Sequence, residues 1–216
     1  MEAETLAKLM VISLVILGTA FHEMGHAFVA YWCGDPTPGR HGRLTFNPIP
    51  HLDPPLTAIV LPAMFYMFGG GLFCLATTPI EPARMRRPLR DHALTALAGP
   101  AMIFLFMGFM IGLLWLVPGL WSWDEYGHPS WGVVVLHEAA LWNLILGCFN
   151  LLPLPPLDGY RICRPLMPLG MRRAADDLAR SGMIAFVIVI VVGGFLFRQF
   201  QDPLIQFYKL LLPPFP

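Results

Sequence analysis

Charged residues are scarce in this chain of 216 residues, because Asp, Glu, Lys and Arg together make up only 13% of it. An ordinary soluble domain has about twice that share, so the composition indicates a membrane protein. Neither sign of charge is in excess, since 14 basic residues balance 14 acidic ones, and this argues against a nucleic-acid partner. The 4 cysteines show no CxxC spacing and predict free thiols. No hydrophilic stretch is long enough for a separate soluble domain, so residues 1–216 are expected to form a single membrane-embedded domain.

Apolar residues dominate what is present, at 56% of the chain, with a mean hydropathy of +0.61. A membrane-spanning helix needs roughly 17–25 apolar residues. The sequence therefore predicts an all-α polytopic membrane protein with about four spanning helices. These helices are expected at about 5–33, 93–118, 132–152 and 183–200. A fifth apolar stretch, 56–78, contains Pro62 and three consecutive glycines, Gly69–Gly71, which are poor material for the interior of a helix.

Three ionisable side chains interrupt the first apolar stretch, in the run His22-Glu23-Met24-Gly25-His26. Ionisable groups at membrane depth are costly to place and by default mark a working site. Residues four apart share one face of a helix, so His22 and His26 can bind one metal ion, and Glu23 can act on its water as general base. In a soluble protein the same pattern could equally be a pair of core histidines beside an acid, but the membrane setting favours the metal site.

A second motif follows the apolar stretch 132–152 and reads Asn150-Leu151-Leu152-Pro153-Leu154-Pro155-Pro156-Leu157-Asp158-Gly159. Catalytic zinc usually takes three protein ligands, and two histidines leave it one short. Prolines end the helix and favour extended backbone, which would deliver the Asp158 carboxylate, while Gly159 permits a close approach. A solvated aspartate at a proline-rich helix exit is the alternative.

Together these two motifs resemble the site-2 protease family of intramembrane zinc metalloproteases, which are peptidase M50-like. The runs Gly34–Thr37, Gly42–Pro48 and Ala98–Pro100 are similar to its compact prokaryotic branch, which lacks PDZ and CBS domains. The resemblance implies one Zn²⁺ per chain as cofactor and assigns a role to each matching residue. The metal ligands would be His22, His26 and Asp158; the catalytic residues would be Glu23, as general base, and Asn150, as a group that positions substrate or stabilises the oxyanion.

The two motifs also constrain the topology. Both halves of the site lie toward the C-terminal ends of their helices, so the apolar stretches 5–33 and 132–152 must run in the same direction. If 56–78 and 93–118 each crossed the membrane once, the stretches 5–33 and 132–152 would run in opposite directions. The sequence therefore predicts that 56–78 is a re-entrant hairpin that turns at Gly69–Gly71. The Gly- and Pro-rich connector predicts a small membrane-associated β-hairpin at about 40–50.

Basic residues indicate which side of the membrane the site faces. With a re-entrant 56–78, the side of the metal motifs has eleven basic residues and the other side has three. The eleven are Arg40, Arg43, Arg84, Arg86, Arg87, Arg90, Arg161, Arg164, Arg172, Arg173 and Arg180; the three are Lys8, Arg198 and Lys209. If 56–78 spanned the membrane, the basic residues would divide ten to four between the two sides. The topology is therefore decided more by the geometry of the metal motifs than by the distribution of charge. The positive-inside rule then predicts a multi-pass cell-membrane protein whose active site is nearer the cytoplasmic face.

The function that these features predict is hydrolysis of peptide bonds within or near the transmembrane segments of membrane proteins. The expected partners are a membrane-protein substrate with a transmembrane helix and the lipid bilayer, with no nucleic acid. Two other classes of protein fit the sequence less well. A catalytically silent relative that binds a membrane partner would have no use for Glu23 beside the ligands, and a metal-permeation protein would string polar residues across the whole membrane thickness.

Overall fold

A computed structural model of the protein describes residues 2–51, 76–117 and 129–213, which are mostly helical and contain no β-sheet. The helices are α1 (Glu2–Trp32), α2 (Thr37–Arg40), α3 (Pro48–His51), α4 (Pro88–Leu116), α5 (Trp131–Asn150), α6 (Asp158–Cys163), α7 (Leu169–Arg180), α8 (Met183–Ile188) and α9 (Gly194–Leu211). Short 3₁₀ turns lie at Pro82–Arg84 and Arg164–Leu166, and a π-helical turn, Val189–Gly193, joins α8 to α9.

Three helices in the described part of the chain, α1, α4 and α5, are long and apolar enough to cross a membrane. The shortest of them, α5, has 20 residues, which at 1.5 Å per residue gives a length of about 30 Å. That length matches the hydrocarbon core of a bilayer. The chain is therefore a membrane protein with at least these three candidate spans.

Close contacts fix the directions of the three long helices. Near its C-terminal end α1 touches the beginning of α4, because a Cβ added at Gly25 would lie 2.5 Å from the carbonyl oxygen of Ala98. The backbone N–H of Arg86, just before α4, also donates to the carbonyl of Cys33, just after α1, at 3.1 Å. Thus α1 and α4 are antiparallel, and the connector between them leaves and returns at the same end of the bundle.

Helix α5 runs in the same direction as α1. Gly18 lies against the side chain of Asn143, and further along both segments His26 meets Asp158, which begins α6 just beyond α5. Asn143 is fully buried, and its amide Nδ2 donates to the Ala139 carbonyl of its own helix at 2.7 Å. The missing side chain at Gly18 is what lets the two helices pack this closely.

The hydrophobic core occupies the other half of the bundle. Val11 and Val15 of α1, Met110 and Leu114 of α4 and Tyr208 of α9 belong to one buried cluster. The Tyr208 hydroxyl also donates to the His137 carbonyl of α5 at 2.8 Å. The core lies beside the N-terminal half of α1, which leaves its C-terminal half to the polar residues His22, Glu23 and His26.

The β-hairpin predicted at about 40–50 is not formed. Those residues fold instead as α2, a turn and α3, with Asn47 accepting a hydrogen bond from the Ile49 N–H at 3.1 Å. Prolines explain the error: residues 36, 38, 48 and 50 are all Pro, and none of them can donate to a strand ladder.

The predicted span at 183–200 is helical but is not one regular helix. Helix α8 ends at Ile188, the π-helical turn Val189–Gly193 follows, and α9 continues to Leu211 with Pro203 inside it. Residues 189–192 are all β-branched, and such residues have a lowered helix propensity. The hairpin predicted at 56–78 lies mostly outside the described residues, which exclude 52–75.

Candidate metal centre

The regular geometry of α1 brings its two histidines together. His22 and His26 are one helical turn apart, and their Nε2 atoms lie 3.0 Å from each other. Both rings are buried, as is Glu23, and the metal-binding atoms of the three residues all lie within 4.8 Å of one another. The i, i+4 spacing therefore produces a convergent donor set of buried side chains.

Asp158 completes this cluster from a distant part of the chain. Its Oδ2 lies 3.1 Å from the Nε2 atom of His22 and 3.1 Å from that of His26. Asp158 is the first residue of α6 and is 3% exposed. The four residues His22, Glu23, His26 and Asp158 are called the metal cluster below.

The segment before Asp158 is folded as tight turns rather than as the extended strand that its prolines led us to expect. The backbone N–H of Leu154 donates to Leu152, and that of Leu157 donates to Leu154, both at 2.8 Å. A Cβ added at Gly159 would lie only 2.1 Å from the carbonyl oxygen of Leu151, so the turn closes onto α6 where only glycine fits. Prolines correctly end α5, but the turn is what aims the carboxylate.

The spacing of the donor atoms suits a zinc ion. Tetrahedral zinc with bonds of about 2.0–2.1 Å has ligand atoms roughly 3.3 Å apart, and the three atoms here are 3.0 to 3.1 Å apart. His26 Nδ1 lies 2.7 Å from the Thr95 carbonyl oxygen and donates to it, which leaves the lone pair on Nε2 facing His22 and Asp158. The residues present therefore fit the metal.

Gly99 makes the space in which the imidazoles meet. A Cβ at this position would lie 2.3 Å from Cε1 of His26 and 2.8 Å from Nε2 of His22. Both distances are far below any carbon contact, and the neighbouring groups are rings held in a buried site. Helix α4 thus supports the cluster with bare backbone at Gly99 and with the Thr95 carbonyl one turn earlier.

Polar contacts hold Asp158 from the opposite side. Arg161 Nη1 donates to Asp158 Oδ1 at 3.1 Å, which leaves Oδ2 to the histidines. On the same short helix, the Tyr160 hydroxyl donates to Asp176 of α7. Arg164, in the 3₁₀ turn that follows α6, makes a two-pronged ion pair with that carboxylate at 2.9 and 2.7 Å. The hydrogen bonds from Arg164 lower the pKa of Asp176 to about 2, against the opposing effect of burial and with help from Tyr160.

Glu23 has a partner that the sequence did not suggest. The Thr78 hydroxyl oxygen lies 2.6 Å from Glu23 Oε2 and 3.2 Å from the Glu23 carbonyl oxygen. Thr78 is the last residue of the stretch 56–78 and belongs to no recognisable motif, so no pattern in the sequence could have identified it.

The side chain of Asn150 bonds to its own helix. Asn150 ends α5, and its Nδ2 donates to the Leu146 carbonyl at 2.9 Å. Among the described residues no hydrogen bond joins Asn150 to the metal cluster. The sequence also gave no indication of Thr95 and Arg161, because both residues lie outside the metal motifs. Gly99 belongs to the Ala98-Gly99-Pro100 run, but the sequence assigned it no role.

Comparison with known proteins bears on this centre. The family model described as peptidase family M50 matches residues 129–194, which include α5 and Asp158. YwhC of Bacillus subtilis (strain 168), whose name provisionally calls it a zinc metalloprotease, is 33% identical over 97% of this chain and 95% of its own length. Rip2 of Mycolicibacterium smegmatis, named in the same way, is 29% identical over 93% of this chain and 73% of its own length. No solved structure gives a significant match.

Proposed function

This chain belongs to peptidase family M50, and from that premise we propose that it is an intramembrane zinc metalloprotease. It would hydrolyse peptide bonds within or near the transmembrane segments of other membrane proteins. The observation that supports this most directly is the convergence of His22, His26 and Asp158, with donor atoms 3.0 to 3.1 Å apart, in a buried site on a candidate membrane span.

His22, His26 and Asp158 are the residues that would hold the zinc ion, one per chain. Bound there, zinc would supply an acidified water molecule and a positive charge for the developing oxyanion. The Thr95 carbonyl and Arg161 fix the orientations of His26 and Asp158, so the ligand set would be preorganised by its surroundings.

Glu23 is the proposed general base. It is buried beside the two histidines, close enough to take a proton from the attacking water and later to give it to the leaving amide nitrogen. Asn150 is proposed to position the substrate. Its amide has two N–H groups, of which Leu146 takes one, so the second is available to a substrate carbonyl or its oxyanion.

The place of the site on α1 supports a membrane-embedded substrate. The cluster lies in the C-terminal half of a span of 29 residues, where a peptide must leave water to reach it. A substrate helix has its carbonyls in internal hydrogen bonds, so it must unwind locally before attack. We assign this end of the bundle to the cytoplasm, because the connectors that meet there contain eleven of the 14 basic residues.

The test is cleavage of a single-span membrane protein in vesicles by wild-type protein and by Glu23→Gln. We expect cleavage by the wild type and a loss of at least about 10³-fold in the variant, because the proton-transfer group is gone. Metal analysis should still give one zinc per chain for both. Glu138→Gln is the matched control, since Glu138 is exposed on α5.

Two results would contradict the proposal. Undiminished cleavage by Glu23→Gln would remove the assigned mechanism. The second result is a failure of zinc-loaded wild-type protein to produce truncated single-span proteins in any membrane fraction. That result would identify a catalytically silent relative instead.

A further inference from the structure

We propose that Thr78 is a positioning residue for Glu23: its hydroxyl holds one carboxylate oxygen so that the other faces the attacking water. This inference rests on the proposed protease function and adds a residue from outside both metal motifs. It follows from one contact and from the way in which the short connector around Thr78 is anchored.

The contact itself is short and charge-assisted. Thr78 Oγ1 lies 2.6 Å from Glu23 Oε2, within the range of an O–H···O⁻ hydrogen bond, and 3.2 Å from the Glu23 carbonyl oxygen. A hydroxyl has one proton, so the shorter distance assigns the donation to the carboxylate. The longer contact gives the hydroxyl a second acceptor in the same residue.

Burial makes this hydrogen bond matter for catalysis. Glu23 is 6% exposed, so a water molecule cannot readily replace a lost partner. A glutamate side chain has three rotatable bonds, and a proton-transfer group that is free to rotate spends little time in the reactive geometry. Pinning Oε2 fixes the plane of the carboxylate and therefore the direction of Oε1.

The connector that bears Thr78 is tied down on both sides. Before it, the Thr77 N–H donates to the His51 carbonyl at 3.2 Å. After it, the Glu81 N–H donates to Asp35 Oδ2 at 2.7 Å, and Asp35 is fully buried with its other oxygen accepting from the Thr37 N–H. Both anchors lie in the segment that follows α1, so the hydroxyl is held in register with Glu23.

The experiment compares three variants in zinc-loaded, membrane-reconstituted protein. Thr78→Val removes the hydroxyl at nearly constant shape, Thr78→Ser keeps it, and Thr77→Val removes a neighbouring exposed hydroxyl that has no recorded bond among the described residues. We expect kcat to fall about 10–100-fold in Thr78→Val at unchanged KM, zinc content and Tm. The kcat of Thr78→Ser should stay within about threefold of the wild-type value, and the kcat of Thr77→Val should equal the wild-type value.

A spectroscopic readout makes the test independent of turnover. The infrared difference spectrum between wild type and Glu23→Gln isolates the carboxylate bands of Glu23, and Thr78→Val should shift the antisymmetric stretch while Thr78→Ser should not.

Failure of this inference has its own signature. With wild type active and Glu23→Gln inactive, an unchanged kcat and an unchanged carboxylate band in Thr78→Val would overturn the role of Thr78 alone. Equal losses in Thr78→Val and Thr78→Ser, or loss of zinc in either, would reduce Thr78 to a structural residue. Cleavage that survives Glu23→Gln would instead refute the proposed function.

Discussion

The two halves of the metal cluster are held in different ways. His22 and His26 lie on a regular helix of 31 residues, packed against the bare backbone of α4 at Gly99. Asp158 lies on a helix of six residues after a series of tight turns, and charged side chains hold it there. The first half is fixed by close packing, the second by discrete hydrogen bonds.

The difference teaches where each half is vulnerable. Close packing tolerates no added atom, because buried neighbours cannot move aside. A hydrogen bond from a half-exposed side chain can be lost without a clash, and water can take over part of its role. Substitutions beside the histidines should therefore abolish zinc binding almost completely. Substitutions beside Asp158 should weaken zinc binding only in part.

Gly99→Ala should have the largest effect. The new methyl group would overlap His26 and push both imidazoles out of line, so we expect zinc binding to fail and cleavage to fall at least about 100-fold. Zinc content and cleavage rate measure this. Gly108→Ala, on the same helix with open space around its Cβ position, is the control and should behave as wild type. Normal zinc content in Gly99→Ala would mean that the histidine half is not held by packing.

Arg161→Gln should have an intermediate effect. Without its guanidinium, Asp158 Oδ1 loses a charged donor and the carboxylate can rotate away from the histidines. Loss of such a supporting contact typically lowers metal affinity roughly 10–100-fold. Zinc affinity measured by competition with a chelator tests this, with the exposed Arg173→Gln as control. A loss as complete as that in Gly99→Ala would erase the distinction between the two halves.

Asp176→Asn should have the smallest effect and a defined pH dependence. Because the pKa of Asp176 is lowered from 3.8 to about 2, its ion pair with Arg164 stabilises the fold fully above pH 4, and this contribution disappears as the pH falls through 2. We expect a loss of about 1 kcal/mol at neutral pH, since both side chains are partly exposed.

Thermal unfolding across this pH range measures the Asp176 effect. The difference in Tm between wild type and Asp176→Asn should be constant from pH 7 to about 5 and should close toward pH 2. Asp177→Asn is the control, because its pair with Arg180 is highly exposed and should contribute almost nothing. A difference in Tm that is as large at pH 2 as at pH 7 would assign the stabilisation to something other than the charge on Asp176.

The sequence predicted the three long apolar helices, and it singled out distant side chains that the structure brings together, for physical reasons. Long apolar runs permit little besides helix in a membrane, and the four-residue spacing of His22 and His26 places both side chains on one face of a helix. The need for a third ligand then pointed to Asp158, and the structure brings these three side chains together.

Other features depend on contacts that leave no local pattern. Thr78 meets Glu23 across 55 positions, and the Thr95 carbonyl meets His26 across 69. Neither partner is distinguished by its own neighbours in the sequence. Glycine and proline spacing suggested a hairpin at 40–50, but prolines that cannot pair in a sheet produced two helical turns instead.

The separation of 132 positions between His26 and Asp158 also has a consequence for biosynthesis. The ribosome releases the histidines into the bilayer long before it has made the aspartate, so a half-finished chain has only two of the three ligand residues. The three side chains therefore come together only late in translation, once α5 is inserted and the turn behind it has closed.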